Sequence, residues 1–167
     1  MRIPGDLRLV DLHRVLQLVM GWHDRHPHAF EVPARLSDAP RRATDACSCA
    51  RPLDDAATIA ETLSAARDGI LYSYLTEEPW HVRIKRTPGT WKRAKESIAC
   101  LDGYLAGPWE DAGGAARYNA VLAATLGRGP SVSREELERF GPGFDPERFD
   151  RCGINRALAT FDYGHKP

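Results

Sequence analysis

Three histidines, a tryptophan and a phenylalanine share the ten residues GWHDRHPHAF, Gly21 to Phe30, and half of the chain's six histidines lie there. The sharpest arrangement is His26-Pro27-His28. Proline disfavours the helical conformation at His26, and residues two apart in an extended chain point the same way, so two imidazoles could meet one metal ion. Zinc or a non-haem metal needs at least one further ligand. The acids available are Asp24 and Glu31 nearby, and Glu110 and Asp111 from a later loop. The candidate metal set is therefore His26, His28, Glu31, Glu110 and Asp111, and a divalent metal is the cofactor these residue types suggest. A structural reading competes with it, in which Trp22 and Phe30 anchor the segment while the histidines bond backbone carbonyls.

Weaker signals lie elsewhere. Glu110-Asp111 ahead of Gly113-Gly114 could form a paired-carboxylate acid/base site, but adjacent residues usually point apart, and capping of the next helix is the better reading. His81 should face away from Trp80 on a strand, and His13 lies beside an early apolar stripe; both suit structural roles. The stretch RIKRTPGTWKRAK sets cations around Trp91, the mixture that nucleic-acid surfaces use, with Lys85, Arg86, Trp91, Lys92 and Arg93 as candidates. Its alternative is a solvated hairpin end. With 23 basic and 23 acidic residues the chain has no net field to draw in a polyanion, so any such contact must be local. Cys47 and Cys49 form C-S-C instead of a C-x-x-C metal or redox motif, which favours reduced thiols. P-loop, Rossmann, G-x-S-x-G and H-E-x-x-H patterns are all missing, and the nucleotide-dependent and common hydrolase classes lose support with them.

These groups must be positioned by a few elements. Apolar residues at Leu9, Leu12, Val15, Leu16, Val19 and Met20 form one helical stripe, with Arg8, Asp11, Arg14 and Gln17 assigned to the outer side. Asp6 is placed to help cap this helix and Gly21 to end it, which sets the histidine cluster on the exit segment. DDAATIAETLSAAR suits either a helix or a short strand. ILYSYL and WHVRIKR alternate around the polar TEEP as an antiparallel hairpin, with Ile70, Tyr72 and Tyr74 on one face and Leu71 and Leu75 on the other. Trp22, Phe30, Tyr72, Tyr74 and Trp80 are the candidate lining of a binding pocket. CLDGYLAGPWEDAGG reads as an irregular loop, and a helix over about 115–126 follows, with Tyr118, Val121 and Leu122 buried. Ser133 to Glu136 has the capping-box pattern, and Asp145-Pro146 sets a capping acid before a first-turn proline.

Four segments in this order resemble the plasmid pRiA4b ORF-3-like proteins, a family that includes TnpR-like passenger proteins of insertion elements. PGDLRLVDLHRVLQLVMGWHDRHPHAF is similar to that family's entry helix followed by G-W-x-x-x-H-x-H-x-F, with Gly21, Trp22, His26, His28 and Phe30 in place. DGILYSYLTEEPW resembles its hairpin, CLDGYLAGPWEDAGG its C-L-x-G loop, and FGPGFDPERFDRCGINRAL its C-terminal F-D-P-E-x-F-D-x-x-x-x-N-x-x-L. The chain departs from the pattern at Leu75 to Glu78 in the hairpin turn and at Gly107 and Ala112, where relatives have cysteines; a cysteine-based metal site is not expected here. Relatives usually begin with an additional strand ahead of the point where this sequence starts, whether or not Met1 is the natural start; a missing strand would leave an exposed sheet edge open to a second chain.

The resemblance implies one α+β domain over residues 1–167, with an antiparallel sheet containing a central hairpin packed with an N-terminal helix and a C-terminal group of helices. It supplies no established catalytic residues. The leading expectation is an accessory or interaction protein associated with mobile elements, with a protein partner. A metal-dependent enzyme built on His26 and His28 and a nucleic-acid-binding module on residues 83–95 are the alternatives, and a homodimer through the exposed sheet edge is a further expectation. No apolar run approaches the roughly 20 residues that span a bilayer, and MRIPGDLRL lacks the apolar core of a signal peptide, so no membrane partner and a cytoplasmic location are expected.

Overall fold

A computed structural model describes residues 1–32, 51–66, 69–87, 97–138, 140 and 144–162. Its first helix, α1 (Leu9–Met20), buries Leu9, Leu12 and Val15, and Gly21 ends it in the left-handed conformation at φ +71°. Arg8 occupies the N-cap and makes no side-chain capping bond, so the capping role expected of Asp6 is not realised. Asp11 and Gln17 also depart from the expected helix wheel, since both are buried; Asp11 pairs with Arg8 at 3.4 Å and Gln17 bonds Tyr72. Periodicity sorts residues by polarity, but it cannot see a phenol facing the helix from a strand.

A four-stranded antiparallel sheet lies against α1, in the order β2 (Arg51–Pro52), β1 (His28–Val32), β3 (Ile70–Tyr74) and β4 (Trp80–Ile84). The register sets His28 opposite Tyr74, Phe30 opposite Tyr72, and Tyr74 opposite Trp80. Cross-strand partners share a face, so His28, Phe30, Tyr72, Tyr74 and Trp80 form one aromatic surface. Every residue of β3 is buried, as a central strand of alternating bulky residues requires, whereas Leu75 just beyond it is exposed. On the opposite face Ser73 Oγ and His81 Nδ1 bond at 3.0 Å, the structural role expected for His81.

Between α1 and the hairpin, the ambiguous segment resolves into a helix, α2 (Ile59–Ala65). Its start decides the matter: the Thr58 hydroxyl accepts from Glu61 N–H while the Glu61 carboxylate accepts from Thr58 N–H, a complete capping box. That bonding, chiefly from the Thr58 side chain, holds the Glu61 carboxyl below its ordinary value.

The C-terminal helices are α3 (Gly114–Thr125), α4 (Arg134–Glu138) and α5 (Arg151–Ala159). Tyr118, Val121 and Leu122 are the buried stripe of α3, as their spacing predicts, and Ser133 accepts from Glu136 N–H at the start of α4. Asp145 caps only a turn; the helix begins later, with the Asp150 carboxylate accepting from Gly153 N–H at 2.8 Å. Gly114 has φ +77°, and a Cβ there would meet Glu78 Cβ at 2.8 Å, so only glycine lets α3 start this close to the hairpin turn. Among the described residues no helix is long and apolar enough to cross a membrane.

Candidate functional site

The segment after α1 turns twice, at Gly21 and again at Asp24, which takes a left-handed φ of +56°. Aspartate tolerates that conformation better than most residues. The two turns wrap the backbone of residues 22–26 around one buried side chain, Glu110. Tyr74 donates its hydroxyl to Glu110 Oε1, and Arg25 N–H reaches the same oxygen at 3.2 Å. Oε2 accepts from His23 N–H at 3.0 Å and from His23 Nδ1–H at 3.3 Å. Tyr74 Oη in turn accepts from Arg25 N–H at 2.8 Å and His26 N–H at 3.2 Å.

Burial alone would push the Glu110 carboxyl upward, but the bonds from Tyr74, Arg25 and His23 outweigh it and hold the group below its ordinary value. The same environment raises the Tyr74 phenol, first by burial and then because its proton is shared with Glu110. Two indoles complete the clamp: Trp80 Nε1 donates to the Glu110 carbonyl and Trp22 Nε1 to the Pro108 carbonyl, each at 3.0 Å. A carboxylate with four donors has little acceptor capacity left for a ligand or a proton. Glu110 is a latch that fixes the 100–113 loop to the sheet.

A second network starts one strand position away. Asp24 N–H donates to Gln17 Oε1 at 2.9 Å, which orients the amide so that Gln17 Nε2 donates to Tyr72 Oη at 3.0 Å. Tyr72 Oη and His13 Nδ1 are 2.9 Å apart, and His13 Nε2 is 2.8 Å from Asp24 Oδ1. A carboxylate can only accept, so His13 carries its proton on Nε2 and Tyr72 donates to Nδ1. The four groups then form a closed cycle of four hydrogen bonds, each running from a donor to an acceptor. Burial drives the Tyr72 phenol well above its ordinary value, so it stays protonated as the cycle requires. The His28 ring stacks on His13 with centroids 3.6 Å apart, and burial, then the His13 neighbour, lowers its affinity for a proton.

The residues singled out for metal binding are divided between these surroundings. His26 Nε2 does reach Asp111 Oδ1, at 3.0 Å, while His28 turns to His13, with its buried Nε2 unbonded and 4.0 Å from Asp55. Glu110 is committed to the latch, and Glu31 pairs across the sheet with Leu71 and Pro52. Among the described residues no three His, Cys, Asp or Glu side chains form a group that could hold a metal ion. Trp22, Phe30, Tyr72, Tyr74 and Trp80 are all buried, and they pack on one another: Trp22 stacks on Tyr74 at 4.9 Å, and Phe30 meets Tyr72 at 5.0 Å. They make a core, not the wall of an open pocket. Lys85 and Arg86 are exposed beyond β4, and Trp91, Lys92 and Arg93 lie outside the described residues.

The loop before Glu110 is irregular but firmly held. Cys100 N–H donates to Asn155 Oδ1 at 2.8 Å and Asn155 Nδ2 returns a bond to the Cys100 carbonyl at 2.9 Å, while Arg151 reaches the Leu101 carbonyl and Ala106 N–H the Pro146 carbonyl. The loop block thus rests on the C-terminal block, and the histidine block on both hairpin and loop. All four sequence blocks that carried the family resemblance meet in one assembly, and the family model described as plasmid pRiA4b ORF-3-like protein matches residues 1–152. The chain belongs to that family.

This ORF-3-like chain is also similar to a solved structure, the protein of unknown function MM3350 from Methanosarcina mazei Go1. The identity is 25% and the TM-score 0.60, covering 90% of this chain and 84% of the other. No curated protein matches the ORF-3-like chain. Sequence reading missed Glu110 as the latch and Gln17 as part of the Asp24 cycle. The only advance signal for the latch was the clustering of Trp22, Tyr74 and Glu110 in three of the four resembling blocks.

Proposed function

We propose that this protein is an accessory interaction protein, of a kind carried with plasmids and other mobile DNA, and that a partner protein with an apolar cleft docks on its 101–109 loop. One observation carries the reading: Trp109 stands 51% exposed between two buried residues whose backbones are pinned by indoles, Pro108 by Trp22 and Glu110 by Trp80. Its neighbours cannot rotate inward or outward without breaking those bonds, so the ring is held in solvent. Tyr104, at 78%, and Leu101 stand exposed on the same anchored loop. Large aromatic side chains presented rigidly at low entropic cost are the residues that dominate protein–protein binding energy. The plasmid origin in the family's description supports the genetic setting.

The metal-dependent reading has less behind it. Asp111, the one carboxylate that His26 meets, also lies 3.9 Å from the Arg25 guanidinium, which already supplies a cation. For the docking reading, the test is paired affinity capture with wild type and a Tyr104→Ala/Trp109→Ala variant, checked by circular dichroism for equal folding. A protein retained by the wild type and lost by the variant is the expected result. Identical recoveries from the two would overturn the assignment of the loop.

A further inference from the structure

Beside Asp24 a groove of about 350 Å³ runs between α1 and the end of α5, and Arg14, Gln17, Leu18, Asp24, Phe161 and Asp162 contribute to its walls. We propose that this groove binds a small zwitterion, with its ammonium on Asp24 and Asp162, its carboxylate on Arg14, and its apolar body against Leu18 and Phe161.

The charges are the first argument. Among the described residues the side chains of Arg14 and Asp162 enter no hydrogen bond or ion pair, and the Asp24 carboxylate engages only its Oδ1, with His13. Opposite charges line one concavity without neutralising each other, which leaves both signs available to a ligand that carries both. The volume falls at the small end of the range for ligand sites and suits a molecule of amino-acid size.

The fold also gives something up to hold Asp24 there. Its backbone is left-handed, and its carboxylate folds back along α1 to reach His13, in the middle of the helix. His13, Gln17 and Tyr72 are buried to complete the cycle that orients it, yet the only member that meets solvent is the carboxylate itself. Burying three polar side chains to present one acceptor at a groove is the arrangement of a positioned binding group.

The experiment is calorimetric titration of the full chain with L-phenylalanine, 2-phenylethylamine and 3-phenylpropionate. Saturable binding of L-phenylalanine is expected, weakened at least about tenfold when the ligand lacks either charge, as the loss of a charged hydrogen bond implies. Arg14→Ala should weaken L-phenylalanine by a similar factor and leave 2-phenylethylamine no worse, whereas Asp24→Asn should weaken both. Because Asp24 belongs to the buried cycle, Arg14→Ala and Asp162→Asn, which disturb no described bond, keep the test decisive if Asp24→Asn folds poorly. Absence of saturable heat with all three probes, or L-phenylalanine affinity unchanged in both Arg14→Ala and Asp162→Asn, overturns the site. Equal affinity for 2-phenylethylamine and L-phenylalanine in the wild type overturns the zwitterion assignment.

Discussion

Two carboxylate–histidine pairs grow from the same short exit segment, and each is the other turned inside out. At the latch the acid is interior, with the Glu110 side chain 1% exposed, and its histidine, His23, is 61% exposed. At the groove the histidine is interior, with His13 5% exposed, and Asp24 is 60% exposed. An interior carboxylate must collect donors from every direction, so it welds elements together and has nothing left to offer. An interior imidazole bonded on both nitrogens passes its order outward to an acid that still has a free oxygen. Residue types alone would have ranked the two pairs equally; burial decides which is scaffold and which is available.

The comparison predicts its largest effect at Glu110. Replacing it with alanine strips the Tyr74 hydroxyl and the His23 N–H of their acceptor and leaves Arg25 N–H with Tyr74 alone, and a stability loss of about 3–5 kcal/mol is expected from urea denaturation. A loss under about 1 kcal/mol would mean that water replaces the carboxylate and that the latch is no latch. The tyrosines sharpen the contrast. Tyr74→Phe removes a donor to a buried charge and should lose about 1.5–3 kcal/mol, while Tyr72→Phe breaks only bonds between neutral groups and should lose about 1–2 kcal/mol.

Acid should separate the two networks by pH window. Glu110 titrates below its ordinary value of 4.5 when folded, so its stabilisation is fully present above that value and is lost as pH falls below it. His28 is also depressed, from 6.5, and because it is a base the unfolded chain takes up the proton first. Its contribution therefore holds above about 6.5 and declines as pH falls from there toward the lowered folded value. Unfolding free energies measured across pH should show both declines. Glu110→Gln should flatten the lower and His28→Phe the upper; an unchanged upper slope in His28→Phe would assign that proton elsewhere.

Much of the scaffold was legible because it is written locally. The apolar stripe of α1, its stop at Gly21, the hairpin and the buried face of α3 each follow from spacing within a dozen residues. The two networks were not legible, since their partners are far apart in the chain: the Glu110 side chain bonds residues 36 to 87 positions away, and His13 bonds Tyr72 across 59. Local rules gave Glu110 the nearest available task, capping α3, but that helix has Gly113 at its N-cap, in a left-handed conformation with no side-chain bond. They put Gln17 in solvent for the same reason. The pairing of His26 and His28 rested on an extended geometry that begins only at His28, where β1 starts, so the two rings were never bound to the same alternation.

The smallest stability effect should fall on Asp24, and that is what makes it the sharpest test of the comparison. Asp24→Ala deletes the acceptor of His13 Nε2–H, but the lost carboxylate was mostly solvated, so water can enter at the position it leaves. The left-handed backbone also suits alanine less well than aspartate. Together these should reduce stability by about 1 kcal/mol, several-fold less than Glu110→Ala, by the same urea measurement. Asp24→Gly separates the two contributions, because it relieves the backbone while still removing the carboxylate. If Asp24→Gly matched the wild type, the His13 bond would be energetically idle and the carboxylate would stand at the groove for its charge alone. If Asp24→Ala instead lost as much as Glu110→Ala, the exposed acid would be scaffold after all, and the distinction between the two networks would collapse.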